Sequence, residues 1–210
     1  MKIGIIGSGN VGSSLGKVWG AKGHQIIFGV RDTESDKLKD LLASIGANAS
    51  AEIVKDAAAM ADVVVLTTPW QAARDAIENA GDLTGKILID CTNPLDANLS
   101  GLTVGLTTSA AEEISHWARG AKVVKAFNTT GSGNMLNPNY GSEAADMFIC
   151  GDDDEAKNIV SKLVVDAGFD VIDSGPLSNA RLLEPMAMLW IYLAIKQGFG
   201  TDIAFKLIRR

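Results

Sequence analysis

The chain has 210 residues, of which 47% are hydrophobic, and its formal net charge is −6. This length suits one large domain, or one domain with a small appendage, and the apolar content is enough for a substantial core. The acidic balance, with no basic cluster beyond Arg209 and Arg210, argues against nucleic-acid partners and anionic membranes.

Sequence signals of export, membrane insertion or cross-linking are weak. The N-terminus is a core strand without a cleavage signal, which argues against a secretory peptide. The longest apolar run, from Pro185 to Ile195, is too short to span a bilayer. Cys91 and Cys150 are far apart and form no C-x-x-C pair, so neither a disulfide framework nor a zinc site is indicated. We therefore expect a cytoplasmic protein.

The N-terminal segment predicts a strand, a glycine turn, a helix and a second strand. Gly7, Gly9 and Gly12 stand in G-x-G-x-x-G spacing between the apolar runs Lys2–Ile6 and His24–Val30. In this motif the first glycine permits a tight turn, the second lets the backbone approach a pyrophosphate, and the third lets the helix pack on the strand. The N–H groups at the helix start favour phosphates. The residues expected to bind a dinucleotide here are Gly7, Ser8, Gly9, Asn10, Val11 and Gly12.

The second predicted strand ends on a basic residue. NAD-binding domains place Asp or Glu about 20 residues past the glycines, where the carboxylate holds the ribose hydroxyls. Here Arg31 stands at the strand end and Asp32 follows it. A guanidinium can pair with a 2′-phosphate that a carboxylate would repel. The pattern favours NADP over NAD, with Thr33 in the same site, and Asp32 keeps open the alternative of an arginine that is only solvated.

Along the rest of the chain, apolar β-branched runs alternate with helix-like segments. The predicted strands are Lys2–Ile6, Gln25–Val30, Asp62–Thr67, Lys86–Asp90, Lys122–Phe127, Met147–Cys150 and Asp170–Ile172. The predicted helices are Val11–Ala21, Lys37–Ile45, Ile53–Ala59, Gln71–Asn79, Thr108–Trp117 and Ala156–Asp166. This alternation predicts an α/β fold of the Rossmann type, with a doubly wound parallel sheet and helices on both faces. We expect residues 1–210 to form a single dinucleotide-binding domain.

Small polar side chains follow three of the predicted strands, at Thr67–Trp70, Cys91–Pro94 and Phe127–Thr130. Ligands of doubly wound sheets bind outside the carboxyl ends of the strands, so these ends are expected to line a groove for the ribose, the nicotinamide and a substrate. Trp70 either flanks the cofactor or anchors a helix start. The residues assigned to cofactor binding in this groove are Thr67, Thr68, Pro69, Asn93, Ala126 and Asn128.

Residues 174–210 are predicted to form a C-terminal helical extension that packs on the sheet domain. From 177 to 197 the sequence is strongly apolar. Pro185 predicts a kink or a break. Apolar residues on all sides predict a helix buried all round, against the sheet, against a second copy of the chain, or against both. We therefore expect a homodimer.

Catalytic side chains and metal ligands are not evident in the sequence. His24 and His116 lack metal-ligand spacing. The acidic run from Asp152 to Glu155 is interpreted as a helix start, where carboxylates favour the positive end of the dipole. Hydride transfer between two flat rings requires the rings face to face and needs no strong protein acid or base. No catalytic residue and no metal site is predicted.

Five motifs spread over the whole chain carry a resemblance to one family. They are GSGNVG at 7–12, G-x-R at 29–31, TTPW at 67–70, GDDDE at 151–155 and SGPLSNARLLEP at 174–185. The chain resembles the NADPH-dependent deazaflavin (coenzyme F420) reductases. It is also similar to the STEAP metalloreductase domains, and the segment KAFNT at 125–129 resembles that branch more than the archaeal deazaflavin enzymes. The resemblance implies NADP held by the glycine turn and Arg31, with a flat ring acceptor stacked near the nicotinamide. The sequence departs from the archaeal pattern at Val30 and Asp32.

The function favoured by these observations is an NADPH-dependent oxidoreductase that passes hydride to a flavin or deazaflavin. One alternative is a reductase of a small imine or keto substrate, for which the chain leaves little room for a helical substrate domain. The other is a non-catalytic NADP-binding subunit.

Overall fold

Six parallel strands form the larger part of the sheet in the computed structural model, which describes residues 1–210. They are β1 (Lys2–Ile6), β2 (Gln25–Val30), β3 (Ala49–Ile53), β4 (Val63–Leu66), β5 (Ile87–Asp90) and β6 (Lys122–Lys125). Their order across the sheet is β3-β2-β1-β4-β5-β6. This is the strand order of the Rossmann dinucleotide-binding fold, so the predicted fold class is confirmed.

Two further strands extend the sheet beyond β6 and run antiparallel to the first six. A two-stranded hairpin, β7 (Asn139–Tyr140) and β8 (Glu143–Ala144), precedes β9 (Asp146–Gly151), which pairs antiparallel with β6. The last strand, β10 (Asp170–Asp173), runs parallel to β9. The sheet is therefore mostly parallel. The reversal follows a connection that holds a five-residue helix and the hairpin in place of a long crossover helix.

Eight α-helices accompany the strands. They are α1 (Asn10–Ala21), α2 (Asp36–Ile45), α3 (Val54–Met60), α4 (Trp70–Ala80), α5 (Ala110–Trp117), α6 (Ser132–Leu136), α7 (Asp154–Asp166) and α8 (Ala180–Ile191). The Asp153 side chain accepts a 2.8 Å hydrogen bond from the Ala156 N–H at the start of α7, which confirms the interpretation of the acidic run. The sequence did not predict β3 or α6.

The core lies in two layers, one on each face of the sheet. Alternate residues of the strands enter opposite layers, so that Ile3 and Ile5 lie in one and Ile6 in the other. Trp19 of α1 is completely buried and donates a 2.9 Å hydrogen bond to the Leu163 carbonyl of α7. This bond ties together two helices that cover the same face.

The C-terminal segment differs from its prediction in two respects. Helix α8 continues through Pro185, which lies on its exposed side, and a π-helical turn at Tyr192–Lys196 follows. Its inward side is held by buried neighbours such as Leu183 and Trp190, and this packing keeps the two halves aligned. The expectation of a helix buried all round is wrong for the single chain. An apolar line, here called the exposed stripe, faces outward; it consists of Leu182, Leu189, Tyr192, Ile195 and Phe199.

No helix has both the length and the apolar composition that a membrane crossing requires.

Candidate functional site

The candidate site lies at the carboxyl edge of the six parallel strands. The strand order reverses between β1 and β4, and doubly wound sheets bind ligands at such a switch point. The glycine turn follows β1 there, and the Thr67–Pro69 segment follows β4 directly beside it. The ends of β2, β5 and β6 open onto the same edge, so the strand ends singled out in the sequence are brought together.

The three glycines of the turn meet three different requirements. Gly7 has a φ of +109°, a conformation that residues with a side chain rarely adopt. A Cβ added to Gly12 would lie 2.1 Å from the Gly7 carbonyl oxygen, so helix α1 can approach the turn only with a glycine there. A Cβ on Gly9 would meet nothing within 4 Å. The fold itself requires Gly7 and Gly12, whereas the open space at Gly9 fits close approach by a ligand.

The turn is fastened to the neighbouring strand by Thr67. Its hydroxyl donates to the carbonyls of Ile6 and Gly7, at 3.0 Å each. Gly7 N–H donates to the Gly29 carbonyl of β2 at 3.1 Å. The Thr67 hydroxyl proton is therefore used to shape the turn. Thr68 has a buried hydroxyl oxygen without a hydrogen-bond partner, and Pro69 is exposed as the N-cap of α4.

The basic residue at the end of β2 carries an available guanidinium. Arg31 is exposed and forms no ion pair. The carboxylate of Asp32 instead accepts a 2.9 Å hydrogen bond from the Glu34 N–H, which closes a local turn. Thr33 is half-buried in that turn. The departure from the family pattern at Asp32 thus leaves Arg31 unpaired.

At the ends of β5 and β6, Asn93 and Asn128 form a reciprocal pair, here called the amide pair. Asn93 Nδ2 donates to the Asn128 carbonyl at 2.9 Å, and Asn128 Nδ2 donates to Asn93 Oδ1 at 3.1 Å. Two buried oxygens beside them, Thr92 Oγ1 and Asn128 Oδ1, have no partner. Buried polar groups without partners are uncommon, and these two oxygens are free to accept further hydrogen bonds. Ala126, by contrast, is completely buried in the core.

A buried cluster of charges that the sequence did not predict lies behind this edge and is here called the ion cluster. Lys125 Nζ lies 2.8 Å from Asp90 Oδ2 and 2.9 Å from Glu184 Oε1, and all three residues are at most 1% exposed. Burial raises the pKa of Glu184, and Lys125 opposes that rise. Burial alone would lower the pKa of Lys125, but the two carboxylates outweigh it and raise that pKa. The signal in the sequence was a charged residue at the end of each of two apolar strands.

The remaining side chains considered in the sequence have structural surroundings. Trp70 stacks on Trp117 with ring centroids 5.2 Å apart, which favours the role of a helix anchor. His24 lies 3.0 Å from Asp166 at the opposite, amino edge of the sheet. His116 is exposed at the end of α5. No three His, Cys, Asp or Glu side chains are arranged to hold a metal ion.

Comparison with known proteins agrees with this geometry. Residues 2–94 match the family model described as NADP oxidoreductase, coenzyme F420-dependent. The F420-dependent NADP reductase of Methanothermobacter thermautotrophicus is 32% identical over 211 residues, which cover 93% of this chain and 90% of that protein. The chain belongs to the F420-dependent NADP reductase family.

Relatives of the F420-dependent NADP reductase family extend the comparison to solved structures and to larger proteins. A crystal structure from Arthrobacter sp. FB24, described as that of an F420-dependent NADP-reductase, is 32% identical with a TM-score of 0.89, and each chain covers 100% of the other. Metalloreductase STEAP3 of Rattus norvegicus is 28% identical over 89% of this chain but only 36% of its own length. The family fold therefore spans the full chain, including α8.

Proposed function

We propose that the protein is an NADPH-dependent oxidoreductase that transfers hydride between NADP(H) and a deazaflavin of the coenzyme F420 type. The observation that carries this proposal is the glycine turn at the switch point, with open space at Gly9 and the unpaired Arg31 on the neighbouring strand. The relatives named as F420-dependent NADP reductases supply the class of acceptor. NADPH would supply the hydride and leave as NADP⁺, the deazaflavin ring would accept it, and the chain would hold the two rings face to face.

Arg31 is proposed to select NADPH over NADH through the 2′-phosphate. A hydrogen bond to a charged group contributes about 1.5–3 kcal/mol, which is about a tenfold to hundredfold change in affinity. Arg31→Ala should weaken NADPH binding by that factor and leave NADH binding nearly unchanged. Lys22→Ala, at the exposed C-cap of α1, is the matched control for loss of a cation. Calorimetric titration that gives equal affinities for both cofactors in the wild type would contradict the proposal.

The acceptor is proposed to be a tricyclic ring, and no side chain is proposed as an acid or base. NADPH oxidation should be measured with the deazaflavin, FMN, FAD, riboflavin and a panel of keto acids and imines. We expect fast turnover with the deazaflavin, and His116→Ala should retain it within about tenfold, less than a positioned acid or base contributes. Turnover confined to a keto acid or imine would overturn the proposal. Binding of NADPH without turnover of any acceptor would favour a binding subunit.

The exposed stripe is proposed to be a homodimer interface, in a protein that we place in the cytoplasm. Its apolar side chains, such as Leu182 at 66% and Phe199 at 64% exposure, recur at spacings of three, four or seven residues along α8 and the segment that follows it. Contiguous apolar patches of this kind mark association sites, and symmetric dimers bury the same patch on both copies. Leu189→Asp should give monomers in sedimentation velocity, whereas Val165→Asp, at an exposed apolar position on α7, should not. A monomeric wild type at micromolar concentration would contradict this part of the proposal.

A further inference from the structure

The ion cluster stands directly behind the amide pair in both sequence and space. Asp90 and Lys125 face each other in register as the last residues of β5 and β6. Each is followed three positions later by one member of the amide pair, Asn93 after Asp90 and Asn128 after Lys125. The two strand ends therefore carry the same arrangement, with a buried charge at the base and an asparagine at the edge.

The hydrogen bonds of the ion cluster are complete. The three protons of the Lys125 ammonium are matched by Asp90 Oδ2, Glu184 Oε1 and the Thr92 carbonyl, the last at 2.6 Å. The Glu184 carboxylate also accepts from the N–H groups of Ala110 and Ala111, at 2.9 and 3.1 Å. These two N–H groups open helix α5, where the dipole favours an anion. The cluster thus fixes α8 and α5 relative to the strand ends.

A direct hydrogen bond connects α8 to the amide pair. Asn128 Nδ2 donates to the carbonyl of Leu183, the residue before Glu184, at 3.2 Å. The backbone that leads to Asn128 is also constrained, because Phe127 has a φ of +62°, which is unfavourable for a bulky residue. Its ring packs edge-on against Trp19, with centroids 5.5 Å apart. Strain of this kind persists only where the surroundings hold it, and it is typical of functional sites.

We propose that Glu184 and Lys125 are positioning residues, which set the amide pair at the orientation that the nicotinamide ring requires. The inference rests on the proposed function for the identity of that ring. Glu184 acts through the Leu183 carbonyl on Asn128, and Asn128 in turn holds Asn93. The cluster contributes to ring placement, whereas the glycine turn and Arg31, at the ends of β1 and β2, hold the rest of the dinucleotide.

The test is a double-mutant cycle on Glu184 and Asn128 in the full-length protein. Glu184→Gln keeps the side-chain volume but replaces one acceptor oxygen with an NH₂ group. Because Lys125 and the N–H groups of Ala110 and Ala111 all donate to this side chain, at least one hydrogen bond of the cluster is lost. A misplacement of about 1 Å costs about a hundredfold in rate, so kcat should fall by about tenfold to a hundredfold. The Kd for NADP⁺ should stay within about twofold of the wild type, because a single lost interaction at the ring leaves the phosphate contacts intact.

The cycle separates positioning from mere stabilisation. If Glu184 acts through Asn128, the double variant with Asn128→Ala should be no slower than Asn128→Ala alone, since coupled residues are not additive. Asp166→Asn, a carboxylate-to-amide change in the hydrogen bond to His24 at the amino edge, is the matched control and should keep kcat. Glu184→Asp keeps the charge and shortens its reach; it should show a smaller loss and serves if the glutamine variant does not fold.

A second readout does not depend on turnover. In NMR spectra of ¹⁵N-labelled protein, the resonances of the Asn128 side-chain amide should shift when NADP⁺ binds to the wild type. This shift should be absent in Glu184→Gln. Unchanged kcat, additive effects in the cycle, or an identical amide response in both proteins would overturn the inference. A wild type that reduces no acceptor would refute the proposed function, and the amide response would still decide the role of the cluster.

Discussion

Gly9→Ala adds one methyl group to a space that is open in the free protein. Gly9 is the N-cap of α1 with φ −71° and ψ −168°, which is extended backbone that alanine also adopts. Alanine is a poorer N-cap than glycine by up to about 1 kcal/mol. It also restricts the unfolded chain, which is worth about 0.4–1 kcal/mol in the opposite direction. The free energy of unfolding should therefore change by less than about 1 kcal/mol.

The same methyl group should oppose binding of the dinucleotide. The second glycine of the motif admits the pyrophosphate close to the backbone, and a Cβ there displaces it from the N–H groups. Loss of one hydrogen bond to a charged group is worth about 1.5–3 kcal/mol, so the Kd for NADP⁺ should rise by about tenfold to a hundredfold. Calorimetric titration and urea unfolding of the same preparation measure the two quantities separately.

Gly12→Ala provides the contrasting control. Its Cβ would lie 2.1 Å from the Gly7 carbonyl oxygen and 2.7 Å from Thr67 Oγ1, so the backbone of the turn must shift. Overpacking of this kind costs about 1–3 kcal/mol, and stability should fall together with binding. If Gly9→Ala binds NADP⁺ as tightly as the wild type, the turn does not hold a pyrophosphate and the reasoning from the motif fails.

Two further predictions concern titratable groups. Burial raises the pKa of Cys150 to about 12 and that of Cys91 well above its usual value. Both thiols should therefore resist a disulfide reagent near pH 8 until urea unfolds the protein. Prompt labelling of the native protein would contradict this prediction. The hydrogen bond from Arg181 holds the pKa of Glu112 below its unfolded value of about 4.3. The Arg181–Glu112 interaction therefore stabilises the fold above about pH 4.3, and this stabilisation is lost as the pH falls through the lowered pKa. Glu112→Gln should flatten the acid limb of unfolding free energy against pH, and an unchanged limb would refute it.

The strand–turn–helix–strand unit was predictable almost to the residue. Strands Lys2–Ile6 and Gln25–Val30 have the predicted bounds because apolar runs there meet clear glycine signals. Strand Ala49–Ile53 was not predictable in the same way. It contains one β-branched residue and forms by pairing with its neighbour at the sheet edge, which is a tertiary effect.

The candidate site was predictable only where a local motif encodes it. The glycine spacing marks the turn because the fold needs glycine at Gly7 and Gly12, and the motif keeps Gly9 clear for a pyrophosphate. The ion cluster has no such motif. Asp90 and Lys125 become neighbours only through sheet register, and Glu184 joins them from α8. Charged residues are mostly exposed in proteins, so residue type alone predicts these three side chains at the surface and not in a buried network.

Helix α8, near the end of the chain, supplies Glu184 as one of the acceptors of the buried Lys125 ammonium on β6. During synthesis, the six parallel strands are complete at residue 125, yet the ammonium of Lys125 lacks one acceptor until residue 184 has emerged. One lost hydrogen bond to a buried charged group costs about 1.5–3 kcal/mol, so the nascent sheet should be more open to proteases until α8 docks. A fragment that ends before Ala180 would therefore make a poor cofactor-binding module for fusion to other enzymes, although it contains the entire glycine turn.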